Sequence, residues 1–426
     1  MTEDARRTRA ASLARRKPSG KRIRRLLTTI TVTGVVVSAS LLVAHAATAA
    51  LPTPQVTTIA LPAPTLAAAS VTAPDLGGLA IAADGYGTLL AHDADTPRPI
   101  ASITKIVTAL TLLEAHPLRD GEPGPSITFT QADEALLHEA IAAGGSRAPV
   151  QSGLTLTMRQ ALEAMLLPSA NNYATSLANW GFGSVPAFLE HARTWLKAHE
   201  LGNIVINDAT GMDARNVASP ADLIRLGKLA LANPALASIV REATADVPGV
   251  GTLENTNKLL AGGVLTGIKT GTGDGANASN LLFSFQVNKG TIVVPVVGVV
   301  LGAASHDVID AALPALISQI TDGFQSVELV KAGQPVAQVV TAWGQRLTLR
   351  TASGSSAIVW GNPKVTLNPK FDALRAASQS QQVGAVTIAI DGGTPPGAQL
   401  SVPIAADAPV GQPDLWWRLT HLTELG

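Results

Sequence analysis

The chain has 426 residues, enough for two domains with sizeable cores, and its 31 basic and 31 acidic residues give no net charge. A neutral chain argues against nucleic acid as the main partner. The absence of cysteine excludes thiol catalysis, disulfide bonds and cysteine-ligated metals.

The N-terminal segment has the features of an export signal or a membrane anchor. The first 25 residues contain ten basic residues, and residues 26–50 contain no formal charge. That uncharged run is long enough to span a bilayer. Its most apolar part, residues 34–44, is shorter and is typical of a signal peptide, and possible cleavage sites follow at residues 44–46 and 47–49. The length favours a retained anchor over a cleaved signal, and in both cases the basic residues 1–25 would stay in the cytoplasm while the remainder lies outside.

Residues 51–75 have the composition of a linker. They contain five prolines among alanine, threonine and valine. Such segments are typically extended and semi-rigid. We therefore interpret residues 51–75 as a tether between the membrane and a folded domain that begins near Leu76.

Residues 76–323 are predicted to form one domain that mixes strands and helices. Two short strands come first, at residues 79–83 and 88–91, and two buried strands rich in β-branched residues come late, at residues 281–287 and 291–301. Helical patterns occur at residues 102–115, 158–167, 172–180, 185–201, 220–231 and 306–323.

Residues 325–426 are predicted to form a separate small all-β domain. Glycine and proline punctuate short strand-like runs in this part of the chain. The runs lie at residues 325–329, 336–340, 345–349, 357–359 and 386–390. Trp416 and Trp417 could contact a partner, but we favour a place for them in the core of this small domain.

One stretch, Ser102-Ile103-Thr104-Lys105, could carry chemistry. It is the only Ser-x-x-Lys in the chain, and the apolar residues around it recur at helical spacing, which predicts a helix buried on one side. Residues three apart share a helix face, so the hydroxyl and the amine would lie side by side. Burial and the positive end of the helix dipole would favour a neutral Lys105 that takes the proton of Ser102. The same residues also fit an ordinary helix start with a solvated lysine.

Two further motifs each occur once in the chain. They are Ser169-x-Asn171, between predicted helices, and Lys269-Thr270-Gly271, which leads into the late strands. Each motif alone is a weak signal. In this order, the three motifs together are those of class A β-lactamases and penicillin-binding proteins.

The chain therefore resembles the serine-type D-alanyl-D-alanine carboxypeptidases, which are low-molecular-mass penicillin-binding proteins. The resemblance covers about residues 76–323 and extends to Pro99-Ile100-Ala101 and to residues 255–259. It implies an α/β (α+β) domain with a β-lactamase/transpeptidase-like fold. In this fold an antiparallel five-stranded sheet is flanked by helices, a helical lobe is inserted between the early and late strands, and the active site lies in the cleft between lobe and sheet.

The resemblance also implies a function and partners. The activity would be hydrolysis of the terminal D-Ala-D-Ala bond of peptidoglycan stem peptides, in cell-wall remodelling outside the cytoplasm. β-Lactams would be covalent inhibitors, and the membrane would be a partner through residues 26–50 if these are not cleaved. After signal cleavage, the protein would instead be secreted to the cell wall. We expect no nucleic-acid partner.

Catalytic roles follow from the resemblance for four residues. Ser102 would be the nucleophile that forms the acyl ester, and Lys105 would be the general base. Ser169 would relay a proton to the departing D-alanine. Asn171 would orient the substrate amide and Lys105.

Substrate-binding roles follow for the third motif. Lys269 and Thr270 would bind the terminal carboxylate of the substrate, and the missing side chain of Gly271 would let the substrate approach closely. The backbone N–H groups of Ser102 and Thr272 would form the oxyanion hole.

Two departures from the pattern keep alternatives open. The glutamate that activates water in class A β-lactamases has no counterpart in its usual setting, so rapid β-lactam hydrolysis is not expected. An arginine that often helps to bind the substrate carboxylate is not obvious, because residues 301–306 contain none. The alternatives are a non-catalytic or sensory protein that binds penicillin or peptidoglycan, and a β-lactamase. The motifs leave the balance between carboxypeptidase and transpeptidase activity open.

We expect neither a metal nor a cofactor. The eight histidines are scattered along the chain. None of them lies at the spacing of a zinc helix.

Overall fold

The computed structural model describes residues 20–374 and 379–426. Most of the basic N-terminal segment, residues 1–19, lies outside the described residues.

The helices, numbered in chain order, are α1 (Gly20–Thr48), α2 (Thr104–Ala115), α3 (Gln131–Ala142), α4 (Met158–Leu166), α5 (Asn171–Phe182), α6 (Val185–Ala198), α7 (Pro220–Ala232), α8 (Pro234–Arg241), α9 (His306–Asp322) and α10 (Leu415–Thr420). Short 3-10 turns lie at Ala101–Ile103, Lys258–Leu260 and Leu422–Glu424.

The strands are β1 (Gln55–Thr58), β2 (Gly78–Ala83), β3 (Gly87–His92), β4 (Arg98–Pro99), β5 (Ser126–Thr128), β6 (Thr155–Thr157), β7 (Val217–Ala218), β8 (Thr244–Val247), β9 (Gly251–Glu254), β10 (Gly267–Thr272), β11 (Ser279–Lys289), β12 (Ile292–Ala303), β13 (Phe324–Val330), β14 (Pro335–Val340), β15 (Arg346–Thr351), β16 (Ser355–Trp360), β17 (Val365–Phe371), β18 (Gln382–Ile390) and β19 (Ser401–Ala406).

Helix α1 is long and apolar enough to cross a membrane. Its side chains are exposed from Gly20 to His45, including the large apolar ones between Leu26 and Val43. A helix that is apolar all round and has no protein around it is typical of a membrane span or a signal sequence.

The central sheet has five antiparallel strands in the order β10-β11-β12-β2-β3. Helices cover both of its faces, so its strands are apolar at almost every position. On β12, Val297 and Val299 pack with the helical lobe, whereas Val296 and Val300 pack with α9 on the opposite face. This alternation explains why residues 292–303 read as one continuous apolar run.

A helical lobe is inserted between β3 and β10, as the family resemblance implied. Helix α2 lies at its centre and packs against α4, α5, α6 and α7. The sequence predicted a helix buried on one side, and this was wrong, because every residue from Thr104 to Leu113 is buried. The lobe and the sheet surround α2 up to Leu113, so even its threonines face protein.

The C-terminal part is all-β up to the short helix α10. Its main sheet has six strands in the order β1-β14-β15-β19-β18-β17, and β13 pairs with β16. Strands β17 and β19 were not predicted from the sequence, and each of them contains a proline. Pro369 is tolerated because β17 is an edge strand.

The proline-rich segment 51–75 is extended, but it does not run free. Its residues Gln55–Thr58 form β1, the edge strand paired with β14. Leu61 and Leu66 pack against the core of the C-terminal sheet. Further along, the amide of Gln325 both accepts from the N–H and donates to the carbonyl of Ala67, at 3.3 and 2.8 Å. The segment is therefore part of the β structure formed by residues 325–406.

The core position expected for Trp416 was wrong. Trp416 lies on α10 with 73% of its surface exposed. Trp417 is half-buried and meets Trp343 edge to face, with 6.0 Å between the ring centroids.

The packing of the central sheet predicts that one glycine, Gly298, does not tolerate a larger side chain. Phe283 lies directly opposite Gly298 in the central sheet, and a Cβ on Gly298 would come within 2.2 Å of the Phe283 ring. The ring is fully buried and has no room to move. We expect Gly298→Ala to lower the free energy of unfolding by about 1–3 kcal/mol, the usual cost of overpacking.

Urea denaturation followed by fluorescence would measure this loss. The double variant Gly298→Ala/Phe283→Leu should recover much of it, since the two changes touch the same space. Gly202→Ala, at a position where a Cβ has nothing within 4 Å, is the control and should change little. A Gly298→Ala protein as stable as the parent would contradict the packing argument.

Candidate active site

Ser102 lies in a tightly held 3-10 turn between the helical lobe and strand β10. The preceding Ala101 has φ +47°, in the left-handed region that non-glycine residues rarely adopt. Two glycines pack against the carbonyls before Ser102. A Cβ on Gly211 would lie 2.0 Å from the oxygen of Ala101, and one on Gly271 would lie 2.7 Å from that of Ile100. The backbone around Ser102 is therefore fixed from both sides.

Lys105 is fully buried one turn further along and reaches back to Ser102. Its Nζ lies 2.9 Å from the Oγ of Ser102, 2.7 Å from the Oδ1 of Asn171 and 2.7 Å from the carbonyl oxygen of Thr210. An ammonium group has three N–H donors, so these three acceptors satisfy it completely.

The same three contacts determine where a neutral Lys105 can accept a hydrogen bond. A neutral amine has two N–H donors and one lone pair. The carbonyl oxygens of Asn171 and Thr210 can only accept, so they take the two donors. The lone pair then faces Ser102, whose hydroxyl is the one group of the three that can donate. The arrangement thus directs the basic lone pair of Lys105 to the hydroxyl of Ser102.

The surroundings favour this neutral form. Burial is the main reason that the pKa of Lys105 lies well below its usual value, and the positive charge of Lys269 lowers it further. The carboxylate of Asp208 acts in the opposite direction and raises the pKa.

The loop that carries Thr210 was not identified in the sequence analysis. Asp208 organises it: its Oδ1 accepts from the N–H groups of Thr210 and Gly211 at 2.8 and 2.5 Å, and its Oδ2 accepts from the N–H of Asp213 at 2.7 Å. The fully buried Asn216 closes the loop and donates its amide to the carbonyl of Asp213. The run of Asn, Asp and Gly at residues 207–216 signals turns, but a backbone carbonyl acting on a lysine has no sequence signature.

The Ser169-x-Asn171 motif lies at the start of α5. Asn171 contacts Lys105, and Gly145 makes room for its amide, since a Cβ there would lie 2.6 Å from the Asn171 Nδ2. Ser169 is buried, and its φ of +64° is a second left-handed conformation at a non-glycine residue of the site. Backbone strain of this kind is concentrated at functional sites.

The third motif lies on the edge strand β10, next to the turn of Ser102. Lys269 is buried with 2% of its surface exposed, and its Nζ contacts the carbonyl and the hydroxyl oxygen of Thr270 at 3.2 and 3.4 Å. No carboxylate in the described part of the chain forms an ion pair with it. Burial lowers the pKa of Lys269 to about 7. A buried cation without an anionic partner is a favourable place for an anionic ligand.

Thr272, at the exposed end of β10, is contacted by a residue that the sequence analysis did not single out. The Nε2 of His306, the first residue of α9, lies 2.9 Å from the Oγ1 of Thr272. Burial is the main cause that lowers the pKa of His306, so the charged form of the ring is disfavoured. His306 thus lies in the region where the sequence lacks the expected arginine. Because its charged form is disfavoured, it does not replace the positive charge of that arginine.

An arginine does reach this region from another strand. Arg98, on β4, lines a cavity of about 240 Å³ together with Ala101, Gly273 and Gly302. Its guanidinium forms an ion pair with Asp93. Its charge is therefore already compensated within the protein.

A family model described as D-alanyl-D-alanine carboxypeptidase matches residues 77–305, which is more than half of the chain. Among curated proteins, a D-alanyl-D-alanine endopeptidase of Haemophilus influenzae is 31% identical over 145 residues, covering 34% of this chain and 46% of that protein. A D-alanyl-D-alanine carboxypeptidase of Streptomyces sp. (strain K15) is 28% identical over 236 residues, covering 51% of this chain and 77% of that protein. The chain thus matches less than half the length of the first of these relatives.

Solved structures show the same fold. The DD-transpeptidase of Streptomyces K15 aligns with a TM-score of 0.51 and 27% identity over 61% of this chain and 98% of its own. Penicillin binding protein 5 from Haemophilus influenzae aligns with a TM-score of 0.55 and 18% identity over 80% of this chain and 100% of its own. At 18% identity the second likeness bears on the fold alone.

The position of Asp208 predicts a shift in pH dependence. Replacing it with asparagine keeps an acceptor for the loop but removes the charge that raises the pKa of Lys105. Lys105 should then lose its proton at lower pH. We expect the rising limb of the pH profile for Ser102 acylation by benzylpenicillin to move to lower pH in Asp208→Asn.

Stopped-flow measurement of the acylation rate across pH would test this shift. Asp213→Asn is the matched control, because Asp213 belongs to the same loop but is not among the charges that act on Lys105. An Asp208→Asn limb that stays in place, or moves to higher pH, would contradict the assignment of this limb to Lys105.

Proposed function

Because the chain belongs to the D-alanyl-D-alanine carboxypeptidase family, we propose that it cleaves the terminal D-Ala-D-Ala bond of peptidoglycan stem peptides through an acyl-enzyme on Ser102. The observation that carries this proposal is the contact between Lys105 and Ser102. A buried amine whose lone pair can face only the serine hydroxyl is a general base placed on its nucleophile.

Substrate binding would begin with the terminal carboxylate. Lys269 is buried without a carboxylate partner, and the Thr270 hydroxyl lies beside its amine. A peptide with a free C-terminal carboxylate would supply the missing anion. This complementarity favours cleavage next to a free C-terminus, hence carboxypeptidase or transpeptidase action, over cleavage within a longer peptide.

Acylation follows from the proposed roles. The Oγ of Ser102 attacks the carbonyl carbon of the penultimate D-alanine, and Lys105 takes the hydroxyl proton. The backbone N–H groups of Ser102 and Thr272 would stabilise the oxyanion. When the C–N bond breaks, the proton passes to the leaving nitrogen of the terminal D-alanine through Ser169. Asn171 keeps Lys105 in place and orients the peptide amide.

The acyl group then leaves Ser102 to an acceptor. With water the products are a shortened stem peptide and free serine enzyme, and Lys105 takes a proton from the water as it attacks. With an amine the product is a new peptide bond. We propose water as the main acceptor, in keeping with the family.

The chain organisation supports action outside the cytoplasm. We propose that α1 spans the membrane with residues 1–25 in the cytoplasm. Residues 76–323 would form the catalytic domain, and residues 325–426, with β1 from the linker, would form the β domain between it and the membrane.

The first test is covalent labelling. We expect the full chain, purified in detergent, to gain the mass of one penicilloyl group on Ser102 and to release it slowly. Peptide mass spectrometry would locate the adduct. Labelling on Ser169, or no labelling in a folded protein, would contradict the proposal.

The second measurement is D-alanine release from a stem pentapeptide, with and without a glycine-type amine acceptor. We expect release in water, reduced at least about a thousandfold in Ser102→Ala, since the nucleophile is lost. Intact penicillin binding without D-alanine release would instead support a sensory protein. Rapid penicillin hydrolysis would support a β-lactamase.

The pKa of Lys269 predicts how kcat/KM changes at alkaline pH. Its protonated form would bind the substrate carboxylate, and its pKa of about 7 means that this form declines above neutral pH in the free protein. We therefore expect kcat/KM for a pentapeptide acid to fall above about pH 7. Lys269→Gln should raise KM by about 10–100-fold, the worth of a charged hydrogen bond.

A pentapeptide with a C-terminal amide is the matched control substrate. The amide has no carboxylate for Lys269 to bind. Its kcat/KM should therefore be low at every pH and should not fall when Lys269 loses its proton. Equal alkaline limbs for the acid and the amide would show that Lys269 does not bind the carboxylate.

A further inference from the structure

The C-terminal end of α1 is enclosed by the other end of the chain. Almost the whole helix is exposed, but Ala46 is completely buried. It is covered by the short helix α10 and its flanking residues. We define the clasp as residues 412–426.

Arg418 makes the main polar contact between the clasp and α1. Its Nη1 donates to the carbonyl oxygens of Ala46, Ala47 and Ala49 at 3.1, 3.2 and 3.4 Å, and its Nη2 donates to the Oε1 of Gln412 at 3.1 Å. Arg418 is only 7% exposed. Within the described chain, no carboxylate forms an ion pair with it.

The end of α1 therefore takes the place of a counter-ion. The last carbonyls of a helix have no partner within the helix, and they form the negative end of its dipole. A guanidinium that caps these carbonyls gives them hydrogen-bond donors and places a positive charge at the negative end of the dipole. Without these carbonyls, Arg418 would be a buried cation with one amide for a partner, which is a costly arrangement.

Backbone contacts extend the enclosure past the helix. The N–H of Ala50 donates to the carbonyl of Gly426 at 3.3 Å, and the N–H of Gly426 donates to the carbonyl of Ala50 at 3.1 Å. This is the reciprocal pairing of an antiparallel strand pair. Trp417 anchors the clasp to the β domain through Trp343, with 6.0 Å between their ring centroids.

The location of the clasp matches the surface of a bilayer. The apolar exposed surface of α1 runs from Leu26 to Val43, and the clasp begins to cover the helix three residues later. At ~1.5 Å per residue this stretch is close to the ~30 Å of a hydrocarbon core. Leu415 and Trp416 are exposed on the clasp, 45% and 73% respectively. Exposed tryptophan at the end of a span is typical of the membrane interface.

We propose that the clasp locks the outer end of α1 into the β domain, so that α1 is kept in the mature protein as an anchor and is not removed as a signal peptide. Cleavage after residue 49 would remove all three carbonyls that Arg418 contacts, and cleavage after residue 46 would remove that of Ala46 together with the helix that precedes it. The proposal concerns the anchoring of the chain and does not depend on the reaction at Ser102.

The absence of cysteine allows a direct test. A Cβ on Gly426 would lie 3.7 Å from the Cβ of Ala50, which is the separation found in disulfides. We expect Ala50→Cys/Gly426→Cys, expressed as the full chain in bacterial membranes, to form an intramolecular disulfide under mild oxidation. The intact mass of the protein should include residues 26–50.

Arg418→Ala in the cysteine pair should slow disulfide formation by about tenfold, because the clasp loses its charged hydrogen bonds. Arg346→Ala, an exposed arginine of the same domain, is the matched control and should have no effect. Circular dichroism and thermal unfolding in detergent would verify that each variant is folded.

Two results would overturn the proposal. A mature chain that begins at residue 47 or 50 would show that α1 is removed. In a folded protein, absence of the 50–426 disulfide, or equal rates with and without Arg418, would show that the clasp does not hold the helix.

Discussion

The amine of Lys105 sets the geometry of the active site. Away from water, each of its N–H groups needs an acceptor, and the two acceptors besides Ser102 come from distant parts of the chain. Asn171 lies at the start of α5, and Thr210 lies in a loop held by Asp208. Both must reach α2, and the lobe and the sheet bury that helix from Thr104 to Leu113. The packing around α2 thus has two effects on Lys105. It lowers the pKa by burial, and it supplies the contacts that direct the lone pair to Ser102.

A second buried lysine makes the site electrostatically unbalanced in the free protein. Lys269 lowers the pKa of Lys105, and neither lysine forms an ion pair with a carboxylate among the described residues. The arrangement costs folding free energy, since two amines are buried without a carboxylate partner among the described residues and the charge of Lys269 disfavours that of Lys105. A carboxylate ligand would relieve the imbalance at Lys269. Binding and protonation at the site are therefore coupled.

Local sequence patterns predicted many of the helices and strands, and the resemblance to a known family supplied the sheet architecture and the roles at the centre of the site. The apolar runs of β11 and β12 indicated buried strands, and the spacing of Ser102 and Lys105 placed a hydroxyl beside an amine. Residues that act through the backbone could not be found in this way. Thr210 contributes a carbonyl oxygen, which any residue type has, so only the folded loop reveals its role.

Other features depended on partners far along the chain. The proline content of residues 51–75 correctly indicated an extended segment, but the pairing of Gln55 with Val340 has no local signal. The same is true of Trp416, whose hydrophobicity suggested a core position. Its exposure depends on Arg418 and the end of α1, which occupy the protected side of the clasp.

The pairing of β1 limits how far the enzyme can reach. Helix α1 ends at Thr48 and β1 begins at Gln55, so only six residues connect them. Fully extended, they cover ~20 Å, whereas an unpaired segment 51–75 could cover ~85 Å. For a protein held by α1, the β domain stays close to the bilayer and the catalytic cleft lies at a nearly constant height above it. If the proposed activity holds, stem peptides in that layer of the wall would be accessible, and those in more distant layers would not.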